Sequence, residues 1–128
     1  MKYLVDTHLL IWAANDTLPK EALPYFLNKD NELFFSSASI WEVVIKTGLN
    51  RPDFQINPDI LYCGLLDNGY NELTISSQHS LLVAHLLSIH KDPFDRILIA
   101  QAKSEGMILL SSDEIVSQYP NVVYVKNI

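Results

Sequence analysis

A chain of 128 residues with 48% apolar residues, 19% charged residues and a net charge of −6 predicts a single folded domain over residues 1–128. It is large enough to bury about two-thirds of its unfolded surface, and the balance argues against disorder. Its one cysteine, Cys63, excludes an internal disulfide and suits a reducing compartment, and no Cys/His group has zinc spacing.

Residues 2–5 predict a buried first strand that ends abruptly in Asp6, with the apolar, helix-compatible segment 9–14 after it. Lys2 followed by that segment has a faint look of a secretory leader. Asp6 and His8 interrupt it, and its six residues fall well short of the roughly 20 that span a bilayer. The expectation is a soluble cytoplasmic protein with no membrane segment. Thr17-Leu18-Pro19 opens a predicted helix to about residue 29, with proline in its first turn. Strand two follows at 32–35, then a helix through Trp41, Val44 and Ile45 that stops near Gly48. Asn57-Pro58 starts a helix ended by Asn68-Gly69, and 72–75 is a short strand. Ser76 or Ser77 caps a helix carrying Leu81, Leu82, His85 and Leu86. Asp92-Pro93 begins another that stops at Gly106, 107–110 is a buried strand, Asp113 opens a short helical turn, and 122–125 is the last strand. Strands alternating with helices imply an α/β fold with a parallel sheet covered on both faces. Ligands bind such sheets outside the carboxyl ends of the strands.

Four acids fall at strand-to-helix junctions: Asp6, Glu42, Asp95 and Asp113. Each has an ordinary structural explanation, because carboxylates cap helix N-termini and oppose the helix dipole. Ser39 and Glu42 have the spacing of a capping box, and Asp92 can cap the helix begun by Pro93. Capping alone does not explain convergence, since Ser or Asn would serve equally. Like charges about 4 Å apart repel by about 4 kcal/mol at an effective dielectric of 20. A hard divalent cation with oxygen ligands removes that cost and can activate water against a phosphodiester. The acidic balance counts against a nucleic-acid binder, but less so when four of the acids sit on metal.

Val5-Asp6-Thr7-His8, Ser39-Ile40-Trp41-Glu42, the run Asp92-Pro93-Phe94-Asp95-Arg96 with its apolar continuation to Ala100, and Ser111-Ser112-Asp113 together resemble the four motifs of PIN-domain ribonucleases. In particular they look like the toxins of VapBC-type toxin–antitoxin pairs, over the whole chain. The resemblance implies a three-layer fold around a central parallel sheet. It also implies Mg²⁺-dependent endoribonuclease activity (Mn²⁺ substituting), frequent homodimers, and a cognate antitoxin that blocks the site. Carried over, Asp6, Glu42, Asp95 and Asp113 are the catalytic and metal-binding set, with Asp6 and Asp95 as the firmest ligands. Thr7 and Ser111 match hydroxyl positions that orient the acids; Ser111 stands where threonine is common. Asp92 is either a further supporting acid or a cap. Arg96 is a candidate phosphate contact or a surface salt bridge. Lys46, one helical turn after Glu42, is a candidate phosphate contact or its (i, i+4) partner.

His8, His79, His85 and His90 form no ligand motif, and only His8 is expected to border the site. Trp12 and Trp41 fall on helix-core spacing and are expected to pack. Two other functions compete. One is an Asp-based phosphotransfer domain, although a phosphatase wants a second Asp where His8 stands, and a receiver wants its Asp after a middle strand. The other is a non-catalytic PIN-like binding module.

Overall fold

The computed structural model describes residues 1–127. Its centre is β1 (Lys2–Val5), the run of apolar residues before Asp6, flanked by β2 (Glu32–Ser36) on one side and β4 (Ile108–Ser111) on the other. The edges are β3 (Asn71–Leu73) beside β2 and β5 (Val122–Tyr124) beside β4, so the order is β3-β2-β1-β4-β5 and every pairing is parallel. Period-two alternation divides the core. Val5, Phe35 and Leu110 point into one apolar cluster, with Leu9, Leu10, Val43, Phe54, Leu61 and Leu65. Leu4 and Leu109 point into the other, with Leu98, Ile99, Ala102, Val116 and Tyr119. Helices α1 (Thr7–Ala14), α3 (Ser37–Gly48) and α4 (Pro58–Asp67) supply the first cluster, and α6 (Pro93–Glu105) the second. The expected α/β three-layer architecture is what forms. No helix among the described residues is long and apolar enough to cross a membrane.

The caps follow the sequence in most places. Asn57 accepts from the N–H groups of Asp59 and Ile60 ahead of Pro58. Ser76 and His79 form a reciprocal capping box at the start of α5 (Ser77–Val83). Three local expectations need correction. The helix expected to carry Leu81, Leu82, His85 and Leu86 ends at Val83, so His85 and Leu86 lie beyond it. The helix expected over 17–29 is instead a 3-10 turn at Lys20–Ala22 followed by the four-residue α2 (Leu23–Phe26). Pro24 lacks an N–H and cannot lie within a continuous helix, so the chain restarts with proline in the first turn. The helix bearing Glu42 begins directly after β2 and is capped by Ser36, whose hydroxyl accepts from Ala38 N–H. Ser39 and Glu42 therefore lie inside α3, and no capping box forms between them.

Gly106 ends α6 at φ +67°, a left-handed conformation that costs a side-chain-bearing residue about 1–2 kcal/mol. Gly64 sits within α4, where an added Cβ would meet nothing within 4 Å. Gly106→Ala is expected to lower stability by about 1 kcal/mol, and Gly64→Ala to raise it by about 0.5–1 kcal/mol. Urea unfolding midpoints at constant m-value check both.

Candidate active site

The chain crosses from one half of the sheet to the other beside β1, whose neighbours are β2 and β4. That reversal opens a crevice at the strands' carboxyl ends, and Asp6 stands at its edge. Asp6 Oδ1 accepts from Leu9 N–H at 2.9 Å, which makes it the cap of α1. Its Oδ2 accepts from Ser112 N–H, also at 2.9 Å, across 106 residues of chain. The carboxylate thus both caps and pins the loop after β4. Burial raises its pKa, against the lowering effect of the Leu9 and Ser112 N–H groups, the Ser111 hydroxyl and His8.

Glu42 is carried on the inner face of α3, where the buried residues are Ala38, Ser39, Glu42 and Val43. Small residues let the helix approach, and the acid is the longest side chain of the four. Thr7 Oγ1 lies 2.7 Å from Glu42 Oε1 and 2.9 Å from Ser39 Oγ. With one proton to give, the threonine donates to the carboxylate and accepts from the serine. Lys46 donates to Glu42 Oε2 and lies over the rings of Phe54 and Phe94, at 5.0 and 5.6 Å. Lys46 is therefore the (i, i+4) partner of Glu42. Ile40 and Val43 pack on the core side of α3, while Trp41, Val44 and Ile45 face outward. Trp41 is 61% exposed, its ring edge-on to Phe94 at 5.4 Å, in contrast to the core packing expected of it. Trp12 does pack against the core.

Asp95 lies in the first turn of α6, which Asp92 caps through Phe94 N–H (2.8 Å) and Asp95 N–H (3.5 Å). Burial, then the charge of Asp92, drive the Asp95 pKa up to about 7. His90 opposes the rise, and Glu42 and Asp6 add to it. Their mutual influence is the electrostatic sign of convergence. Asp113 follows β4. Its N–H donates to Ser111 Oγ at 3.0 Å, and its Oδ1 accepts from Ile115 and Val116 N–H. Thr7 thus contacts the Glu42 carboxylate, whereas Ser111 accepts from the Asp113 backbone and contacts the carboxylate of Asp6 alone.

Arg96 is turned away from this edge. Its guanidinium donates to the carbonyls of Val83, Leu87 and His90 at 2.8–3.2 Å, so it binds the segment before α6 and is not placed as a phosphate contact. His8 pairs with Asp53 at 3.1 Å and packs edge-on against Phe54; it borders the site through its charge on Asp6.

His90 is the residue that sequence reasoning misses. Its Nε2 lies 2.7 Å from Asp95 Oδ2 and 3.5 Å from Asp113 Oδ2. Among the described residues, His90, Asp95 and Asp113 are the group of three whose potential ligand atoms all fall within 4.8 Å of one another. The single hint in the sequence is that His90 comes two residues before the cap of α6, in the loop that enters the acidic edge.

A profile of the PIN domain matches residues 3–122. The chain belongs to the PIN domain family. Solved structures similar to this PIN domain include VapBC2 from Rickettsia felis bound to a DNA fragment from its promoter, 18% identical with a TM-score of 0.72 over 98% of each chain. DNA-bound VapBC from Salmonella typhimurium is 16% identical, with a TM-score of 0.70 over 98% of each chain. FitAcB from Neisseria gonorrhoeae is 17% identical, with a TM-score of 0.63 over 98% of this chain and 96% of that one. At these identities the likeness is one of fold. No curated protein matches by sequence. The strand order of this PIN domain also departs from the receiver arrangement, in which the first strand lies between the second and third. The carboxylates and hydroxyls at its edge are an oxygen donor set of the kind Mg²⁺ and Mn²⁺ take.

Proposed function

We propose that this PIN domain is a Mg²⁺- or Mn²⁺-dependent endoribonuclease acting as the toxin of a toxin–antitoxin pair. The observation that carries the reading is Asp95. It is half-buried, it shares with Asp113 and His90 a group whose potential ligand atoms lie within 4.8 Å of one another, and burial with the charges of Asp92, Glu42 and Asp6 raises its pKa to about 7. Such crowding suits carboxylates that share a cation.

Asp6 and Asp95 would hold the metal, with Asp113 beside them and Glu42 reaching it directly or through water. When bound, the cation supplies a lowered water pKa and neutralises charge on the phosphodiester. Asp6, fixed by two backbone N–H groups, keeps its orientation as ligands come and go. Glu42, held by Thr7 and Lys46, keeps one lone pair on each oxygen for a water at the site. Single-stranded or structured RNA is the expected substrate class, its chain contacting the edge through phosphate.

The antitoxin segment is proposed to cover the carboxyl edge itself; the groove of about 650 Å³ between α1, α2 and α4 contains none of the four acids. Trp41, Val44 and Ile45 form an exposed stripe on α3 that Leu49 continues just past its end, which suits a homodimer contact. A further structural neighbour, from Klebsiella pneumoniae, is a toxin–antitoxin complex.

The test is incubation of total RNA with antitoxin-free protein and Mn²⁺ or Mg²⁺, with new 5′ ends mapped by sequencing and a chelator control. Discrete cuts abolished by the chelator are expected. Metal binding without cuts in any RNA pool would favour a non-catalytic binding module.

A further inference from the structure

We propose that His90 is a positioning residue for the metal-binding acids, a hydrogen-bond donor that fixes Asp95 and Asp113 without itself ligating the cation. The inference rests on the metal reading above and adds a residue and a polarity to it.

The polarity comes from the far side of the ring. His90 Nδ1 accepts from the backbone N–H of Lys91 at 3.0 Å and, more weakly, of Asp92 at 3.4 Å. A neutral imidazole carries one proton, and a nitrogen that accepts N–H groups does not hold it. The proton therefore sits on Nε2, directed at Asp95 Oδ2 at 2.7 Å with Asp113 Oδ2 at 3.5 Å. A ligating histidine has the opposite arrangement: a bare nitrogen at the metal and an N–H on the other side donating to a carbonyl or carboxylate. The close grouping of His90, Asp95 and Asp113 is consequently two acids and their donor, rather than a three-ligand site. A carboxylate anchored through Oδ2 presents Oδ1 in a fixed direction, which is how an outer hydrogen bond tunes a metal ligand.

The ring is also held in place by a strap built for it. Tyr119, 3% exposed, accepts from the N–H groups of Ile89 (3.1 Å) and His90 (2.8 Å) and donates to the Leu87 carbonyl (2.8 Å). Arg96 Nη1 joins the same segment, donating to the His90 and Leu87 carbonyls and to the Tyr119 hydroxyl at 3.3 Å. Five hydrogen bonds from two side chains fix the loop, and what the loop delivers to the acidic edge is the imidazole.

Two variants separate the two sides of the ring. In His90→Gln the amide nitrogen reaches the position of Nε2 and can donate to Asp95. In His90→Asn the amide oxygen can replace Nδ1 as the local acceptor, but the side chain is too short to reach Asp95. Mn²⁺ affinity is measured for wild type and both variants by EPR of the free ion, with thermal melts in chelator as the folding control. Electron spin-echo spectroscopy of bound Mn²⁺ reports any directly bonded nitrogen. The expected result is wild-type affinity in H90Q within about threefold, a loss of about 10–100-fold in H90N at matched thermal stability, and no nitrogen bonded to Mn²⁺. A directly coordinated nitrogen in wild type that disappears in H90N would overturn the role and make His90 a ligand. Equal affinity in all three proteins, or a loss in H90Q as large as in H90N, would overturn it as well. Wild-type protein that binds no Mn²⁺ would overturn the metal reading and the His90 role together, whereas binding unaffected by H90N strikes the His90 role alone.

Discussion

Asp95→Asn is expected to reduce RNA cleavage by about a thousandfold or more while leaving the fold at least as stable as wild type. The loss follows from removing a ligand whose charge would hold the cation. Metal catalysis supplies several kcal/mol of charge stabilisation, and each 1.4 kcal/mol is about tenfold in rate. The gain in stability follows from crowding. Burial and the charges of Asp92, Glu42 and Asp6 push the Asp95 pKa from 3.8 up to about 7, so its ionised form is disfavoured in the folded state. In metal-free wild type the native state holds a proton that the unfolded chain has lost, between about pH 4 and pH 7. Stability should therefore be greatest at the acidic end of that window, fall as pH rises through 7, and level off above it. The amide of the variant does not titrate, and its metal-free stability should be flatter over the window. Urea melts in chelator at several pH values check this, and cleavage assays check the rate. Retained cleavage at the wild-type rate would contradict the proposed site.

Tyr119→Phe is expected to destabilise the protein by about 1–3 kcal/mol and to lower cleavage, though its ring lies in the core under α6. The lost hydroxyl leaves the Ile89 and His90 N–H groups without their acceptor in a part-buried loop. A buried donor left unpaired costs about that much. The isosteric ring should keep the apolar packing, so the effect belongs to the hydrogen bonds. A urea titration gives the stability change. Activity measured well below the unfolding transition separates the displaced loop from global unfolding. Wild-type stability in Y119F would mean the strap is dispensable.

Much of the fold is legible in the chain because local chemistry and global topology agree. The apolar run before Asp6, the Asn57-Pro58 and Asp92-Pro93 starts and the Gly106 stop each specify an element by themselves. The departures have local causes. Pro24 breaks a helix that its neighbours would continue, and Ser36 outcompetes Ser39 as a cap because β2 runs straight into α3. The acids are legible for a different reason: Asp6 follows β1 and Asp113 comes after β4 at the carboxyl edge, while Glu42 and Asp95 lie within the early turns of α3 and α6. What escapes is whatever depends on the loop before α6. Arg96 follows Asp95 in sequence but turns back to bind carbonyls at 83, 87 and 90. His90 has no ligand spacing, and Tyr119, 29 residues away, decides where it goes. Trp41 shows the limit of helical periodicity, which identifies an apolar stripe but not which side faces the core. On α3 the buried side is the one that carries Glu42.

The most direct test of the central claim is a crystal of the protein grown with Mn²⁺ and measured at the manganese absorption edge. The expected result is an anomalous peak at the carboxyl edge of the sheet, with oxygens of Asp6 and Asp95 at about 2.0–2.3 Å. Absence of any peak at that edge under saturating Mn²⁺, with Asp6 and Asp95 ordered, would contradict the claim that these acids hold a catalytic cation.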